Sequence, residues 1–181
     1  MIILETQSAF QSDKAISDNI LVAFETFHYM KTSKSGKNSF MTMKLDMSKT
    51  YDRIEWGFLL QLMGNMGFSP KWIHLISECI STVSYSILVN GEPTKFFKPT
   101  RGIRQGDPLS PYLFLLCFEG LTQLINNVVH DGKIRGYSLC RNGPKISQLF
   151  FVNDGLLFCR AQLGDVKTIE EILDKYKKAS R

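Results

Sequence analysis

No two cysteines stand close enough to form a C-x-x-C pair, and no histidine pair accompanies any of them. The four thiols, Cys79, Cys117, Cys140 and Cys159, are scattered along the chain, which argues against a zinc site. Three of them sit in apolar runs, so the expectation is buried, reduced thiols in a reducing compartment. The start "MIILETQSAF" has only four apolar residues before Glu5 and does not read as a signal peptide. The longest strongly apolar run, "YLFLLCF", is too short to cross a bilayer. Internal repeats and low-complexity tracts are also missing. These absences point to a soluble protein with no membrane partner, intracellular (nuclear or cytoplasmic) and not secreted.

What is present fits an ordinary globular fold. The 181 residues suit one domain or one lobe of a larger protein, and 44% hydrophobic with 22% charged residues is unremarkable. The formal net charge of +5 favours an anionic partner such as nucleic acid, although many basic proteins bind nothing acidic.

Ile16, Ile20, Phe24 and Phe27 recur at helical spacing between Asp13 and Lys31, with Ser12 or Asp13 as candidate caps. "KTSKSGKN" is a cationic loop, and "FMTMKLDM" reads as a strand with Met41, Met43 and Leu45 on one face and Asp46 near its end. A helix over about 56–66 should stop at Gly67, and the next should open at "SPKW" with Ser69 as cap and Pro70 first. Val83, Tyr85, Ile87 and Val89 alternate into the two-residue turn Asn90-Gly91, predicting a hairpin. A glycine- and proline-rich turn, "RGIRQGDPLSP", leads into an apolar helix over about 112–129, which should be core. A second hairpin surrounds Asn153 and Asp154. The last helix starts at Asp165 and turns Val166, Ile169, Leu173 and Tyr176 inward. This order predicts an α+β domain, helices packed on a largely antiparallel sheet.

Three separated segments could carry chemistry together: "KLDMSKTYDRIEW", "RGIRQGDPLSP" and the hairpin "FFVNDGLLF". Nucleotidyl transfer needs carboxylates that hold two divalent ions about 3.5–4 Å apart, and acids at a strand end and a neighbouring hairpin tip can converge in that way. Taken singly, an Asp in either place is more often a turn residue than a ligand.

In this order and spacing, with "QSAF" and "ISDNILVAFE" upstream, the motifs resemble the reverse transcriptase domain of LINE-type (non-LTR) retrotransposons, most closely those of plants. The resemblance implies a palm with partial fingers: residues of about 1–40 and 57–104 as fingers and palm helices with the hairpin, 41–56 and 105–181 as palm core, and no thumb. It implies an RNA-directed DNA polymerase acting on an RNA template, a DNA primer and nucleoside triphosphates with two Mg²⁺ ions. Asp46 matches the first metal-binding aspartate, and Asp154 belongs to the metal-binding pair of the hairpin. Tyr51, with Met47 nearby, matches the aromatic gate against a ribose 2′-hydroxyl; its bland alternative is a core tyrosine. Gln105 and Gly106 match the turn that meets nucleotide and template, Gln105 offering an amide and Gly106 a close backbone approach. Arg101 and Arg104 are candidates for phosphate contact, or plain exposed arginines at a turn.

The departures matter as much. The family's hairpin reads "FADD", whereas here it is Phe151, Val152, Asn153, Asp154. An amide at 153 offers a carbonyl oxygen without charge, and magnesium strongly favours anionic oxygen. Thr50 stands where the family has alanine, and Asp13 and Lys14 replace the glycine and arginine of a Pro-Gly-Arg turn. The expectation is a truncated, degenerate copy with little or no polymerase activity. The alternatives are a non-catalytic nucleic-acid-binding module and a pseudogene relic.

Overall fold

The computed structural model describes residues 16–32, 39–47, 50–140, 143–151 and 154–180. The chain divides into two units, one of residues 1–48 with 118–177 and one of residues 49–117 with 178–181.

The first unit is built on an antiparallel sheet of β1 (Phe40–Asp46), β6 (Gln148–Phe150) and β7 (Asp154–Arg160), with β7 in the centre. "FMTMKLD" forms the strand that its alternation predicts. The turn between β6 and β7 closes with the Phe151 N–H donating to the Asp154 carbonyl at 2.8 Å. One face of the sheet carries Thr42, Lys44 and Asp46 beside Asp154, Leu156 and Phe158, the other Met41, Met43 and Leu45 beside Gly155, Leu157 and Cys159. Phe150 shows why a glycine sits at 155. A Cβ there would lie 2.8 Å from the Phe150 ring, which is fully buried and meets Phe118 edge-on with centroids 4.6 Å apart. A short ladder of β4 (Tyr137–Ser138) with β5 (Lys145–Ile146) completes this unit's strands among the described residues.

Helix α1 (Ile16–Thr32) packs on the Leu156–Phe158 face, though its fully buried residues are not those its periodicity suggests. Ile20, Phe24 and Phe27 are exposed, Phe24 by 69%, and the buried stripe is Asn19, Ala23 and Thr26. Phe158 occupies that face, and the helix meets it most closely at Ala23, with Val22 and Met30 half-buried beside it and the exposed Phe27 ring 6.2 Å from the Phe158 ring. Asn19 donates its amide to the Phe150 carbonyl at 3.0 Å, and Thr26 bonds back to the Val22 carbonyl at 2.7 Å. The caps expected at Ser12 and Asp13, the Asp13–Lys14 departure and the loop residues 33–38 lie outside the described residues.

Helix α6 (Leu163–Ala179) begins two residues earlier than expected, because Asp165 is used inside the fold. Its carboxylate is buried and grips Arg160, accepting from the guanidinium at 2.8 and 3.2 Å and from the Arg160 backbone N–H at 3.2 Å. That contact raises the Arg160 pKa. Ile169 is buried as predicted, with Ile172 beside it, while Val166, Leu173 and Tyr176 are half-buried.

The second unit holds α2 (Thr50–Arg53), α3 (Trp56–Asn65), α4 (Pro70–Ser81) and a hairpin of β2 (Leu88–Val89) with β3 (Glu92–Pro93). Gly67 follows the end of α3 at φ +83°, and Ser69 caps α4 by accepting from the Trp72 N–H at 3.3 Å, both as read from sequence. Asn90 and Gly91 have φ of 53° and 89°, the left-handed pair of a two-residue hairpin turn. The ladder is shorter than the alternation from Val83 implies: beyond Leu88 it continues only in a Thr94–Ile87 backbone bond and a bridge between Tyr85 and Phe97.

Helix α5 (Ser110–His130) contributes to both units, dividing between Cys117 and Phe118. Leu113 to Glu119 are buried, so "YLFLLCF" is core except for Tyr112, which is exposed. The helix starts earlier than Tyr112 because Asp107 accepts the Leu109 N–H at 2.8 Å just ahead of it. By length and composition alone its 21 residues could cross a membrane, contrary to the reading from its apolar run, but more than half of that window is buried in the protein.

The thiols split two and two. Cys117 and Cys159 are buried, whereas Cys79 and Cys140 are exposed, which corrects Cys79 from its apolar surroundings. Burial pushes Cys117 up to about 12. Cys159 rises to about 11 through burial and then the nearby Asp165 charge, against a smaller lowering by Arg160. At pH 8 the Cys117 thiolate is then about one molecule in ten thousand. Iodoacetamide at that pH should label Cys79 and Cys140 and spare the other two in the folded protein, with all four labelled in urea. Mass spectrometry showing prompt modification of Cys117 in the native chain would contradict this.

Candidate active site

Asp46 is the last residue of β1 and Asp154 the first of β7, and they form the final rung of the antiparallel ladder. Residues paired in this way have Cα atoms about 4.5–5.5 Å apart and send their side chains to the same face. The two carboxylates therefore face one another at one end of the sheet. Lys44 stands two residues before Asp46 on the same face, and its ammonium lies 3.3 Å from Asp154 Oδ2. Lys44 and Asp154 are 63% and 46% exposed, so this is a water-screened contact. Asn153 and Val152 lie outside the described residues.

The second unit brings together the other predicted segments. Gly102, at φ +84°, lies against the backbone of α2. The Gly102 N–H donates to the Ile54 carbonyl at 2.8 Å and the Ile103 N–H to the Tyr51 carbonyl at 2.7 Å, while the Trp56 indole donates to the Gly102 carbonyl at 2.7 Å. These bonds dock the "RGIRQG" turn beside Tyr51. The Tyr51 ring stacks on Phe114, with centroids 4.9 Å apart at 16°. Half-burial raises its phenol pKa. Gln105 and Gly106 are exposed at the turn, with Gly106 at φ +83° and open space where a Cβ would sit. Arg101 pairs with Glu55 at 3.4 Å, an anion already supplied by the protein, and Arg104 is exposed. Met47 is half-buried at the end of β1.

Sequence reasoning passed over Lys44, the Arg160–Asp165 pair and the buried Gln148, whose amide donates to the half-buried Asn126 at 2.9 Å. Only Lys44 had a local signal, its even spacing from Asp46 on a strand. The others depend on partners distant in sequence.

Among the described residues no three Asp, Glu, His or Cys side chains gather as a ready metal cluster. The facing pair Asp46 and Asp154 nevertheless suits a divalent hard cation, since both offer anionic oxygen from one face of one ladder.

The chain belongs to the reverse transcriptase family: the family model for reverse transcriptase (RNA-dependent DNA polymerase) matches residues 1–181. It is 45% identical over 67 residues to an uncharacterized mitochondrial protein of Arabidopsis thaliana, covering 37% of this chain and 55% of that protein. It is 28% identical over 130 residues to the Pol polyprotein of the type-1 retrotransposable element R2 of Popillia japonica, covering 72% of this chain and 20% of the polyprotein. The chain thus spans about half of the first and a fifth of the second. Its fold is similar to apo telomerase of Candida tropicalis, with a TM-score of 0.60 and 14% identity over 94% of this chain and 34% of that one. The resemblance to non-LTR retrotransposon reverse transcriptases, and the α+β palm it implies, both hold.

Proposed function

We propose that this is the palm-bearing part of a retroelement RNA-directed DNA polymerase whose metal centre is impaired. The supporting observation is the Asp46–Asp154 rung, which offers two carboxylates where the family's chemistry calls for three. Bound divalent ions would supply charge stabilisation for the in-line displacement of pyrophosphate. Asp46 and Asp154 would hold one such ion. Asn153 contributes no charge to a second. Tyr51, its ring held by Phe114, would exclude a ribose 2′-hydroxyl, since a ring beneath C2′ leaves space for hydrogen but not for oxygen. Gln105 and Gly106 would meet nucleotide and template at their exposed turn, and Arg104 the phosphates. Arg101 is better explained as the partner of Glu55. The substrates that follow are an RNA template, a DNA primer and nucleoside triphosphates.

Manganese titration followed by electron paramagnetic resonance tests the centre without requiring activity. The unaltered chain should bind Mn²⁺ weakly, and Asp46→Ala and Asp154→Ala should each abolish the binding. Lys44→Met should tighten it roughly two- to fivefold by removing an exposed competing cation. Binding that ignores Asp46→Ala would sink the proposal.

A further inference from the structure

We propose that the hairpin from Tyr85 to Phe97 is a stacking platform for single-stranded nucleic acid. The choice of nucleic acid among anionic partners rests on the polymerase reading above; the platform itself rests on the hairpin's geometry.

From the turn at Asn90-Gly91 the strands pair Val89 with Glu92 and Leu88 with Pro93, and the Thr94 N–H donates to the Ile87 carbonyl at 2.8 Å. Further along, Tyr85 and Phe97 exchange two backbone bonds of 2.8 and 2.9 Å. Between those anchors one residue, Ser86, opposes two, Lys95 and Phe96. That is a β-bulge, and bulges re-aim side chains. The Ser86 hydroxyl donates to the Thr94 carbonyl at 2.7 Å and holds the distortion in place. Phe96 emerges 77% exposed. Phe97 is 48% exposed and is braced by the Tyr85 ring 6.0 Å away. A large ring in water beside a second, supported ring is costly in apolar exposure unless something covers it.

The surrounding charge indicates what covers it. Lys95, Lys98, Arg101 and Arg104 follow at every third position, and no acid occurs from residue 93 to residue 106. Arg101 is engaged by Glu55, and the flanking Asp107 is engaged by the Leu109 N–H. Lys95 and Lys98, which flank the two rings in sequence, are exposed, and so is Arg104. Aromatic faces interleaved with cations suit unpaired bases on a phosphate backbone, because every base has a face to stack and every linkage carries a charge. A duplex hides the base faces, so it should profit only from the cations. An apolar protein surface would gain nothing from a strip of lysines.

The test uses the full chain and fluorescence anisotropy of labelled oligothymidylate, oligouridylate and a blunt DNA duplex of equal length. Both single strands should bind more tightly than the duplex, their ratio distinguishing DNA from RNA as the better ligand. Phe96→Ala should weaken single-strand binding roughly five- to hundredfold and leave duplex binding unchanged. Phe96→Trp should restore the affinity, with its emission quenched on titration. Lys95→Gln with Lys98→Gln should lower the slope of log affinity against log salt by about 1.4. Because Phe96 is exposed, circular dichroism should be the same for all these variants. Single-strand binding that ignores Phe96→Ala overturns the platform while leaving the polymerase reading in place. A dimer in the unaltered chain that Phe96→Ala dissociates, at constant oligonucleotide affinity, overturns it in favour of self-association. No oligonucleotide binding at low salt overturns both the platform and the polymerase reading.

Discussion

Given a primed RNA or DNA template, all four deoxynucleotides and either magnesium or manganese, the unaltered chain is expected to extend the primer no further than its Asp46→Ala variant. The reason is electrostatic. A unit negative charge about 4 Å from a divalent ion is worth roughly 8 kcal/mol at an effective dielectric near 20. Asp154 is almost half exposed, so water screens this corner of the sheet and the figure needs discounting. Half of it, about 4 kcal/mol, still corresponds to near a thousandfold in rate or affinity. An asparagine at 153 carries no charge, and Lys44 adds a positive charge 3.3 Å from the Asp154 carboxylate. Asn153→Asp should therefore strengthen manganese binding by about two to three orders of magnitude, and combining it with Lys44→Met should strengthen it further. The binding readout separates the loss of a ligand from any other obstacle to synthesis. Primer extension by the unaltered chain well above the Asp46→Ala background would show that an amide suffices at position 153.

The features legible in the sequence are those that local chemistry decides. Asn90-Gly91 makes its turn because both residues tolerate positive φ, and Ser69-Pro70 opens α4 because the serine accepts an orphan N–H. The strand at Phe40–Asp46 and the burial of "LFLLCF" follow from pattern alone. What the pattern missed was decided by packing. A helix with apolar residues at 16, 20, 24 and 27 announces a stripe, but the line that is fully buried is Asn19, Ala23 and Thr26, with Val22 and Met30 half-buried beside Phe158 and Phe27 reaching that ring from an exposed position. The strand from Val83 keeps its alternation in sequence yet loses its ladder to a bulge on the opposite arm, where no turn signal marks Lys95 and Phe96. The pairing of Asp46 with Asp154 is a register between residues more than a hundred positions apart, so the family's motifs could suggest it and only the ladder could establish it. Asp165 was expected only as the first residue of the last helix, and its role in the fold, clasping Arg160, involves a residue on the preceding strand.

The turn that carries Gln105 and Gly106 stands on a single glycine, and replacing it should cost more than any other small change in its unit. At Gly102 the backbone has φ +84°, and a Cβ would lie 2.9 Å from the Asp52 carbonyl oxygen and 3.1 Å from the Tyr51 oxygen. Both obstacles are backbone atoms of α2, so no side-chain rotation relieves them. Gly102→Ala therefore combines a left-handed conformation, about 1–2 kcal/mol, with the separation of two segments joined at Gly102–Ile54, Ile103–Tyr51 and Trp56–Gly102. The expected loss is about 3 kcal/mol in all, or roughly 6–12 °C in melting temperature. Trp56 reports the event directly, because its indole hydrogen bond ends on the Gly102 carbonyl and should shift its emission as that bond loosens. Gly106→Ala is the matched control: its φ is +83°, yet nothing lies within 4 Å of its Cβ position. It should lose only the conformational part, about 1 kcal/mol. The difference between the two variants, about 2 kcal/mol by urea denaturation, is the value of the close approach between the turn and the Tyr51 helix. Equal losses would mean that the turn can lift away from α2 without penalty, and that Tyr51 and Gln105 are not held together by the fold.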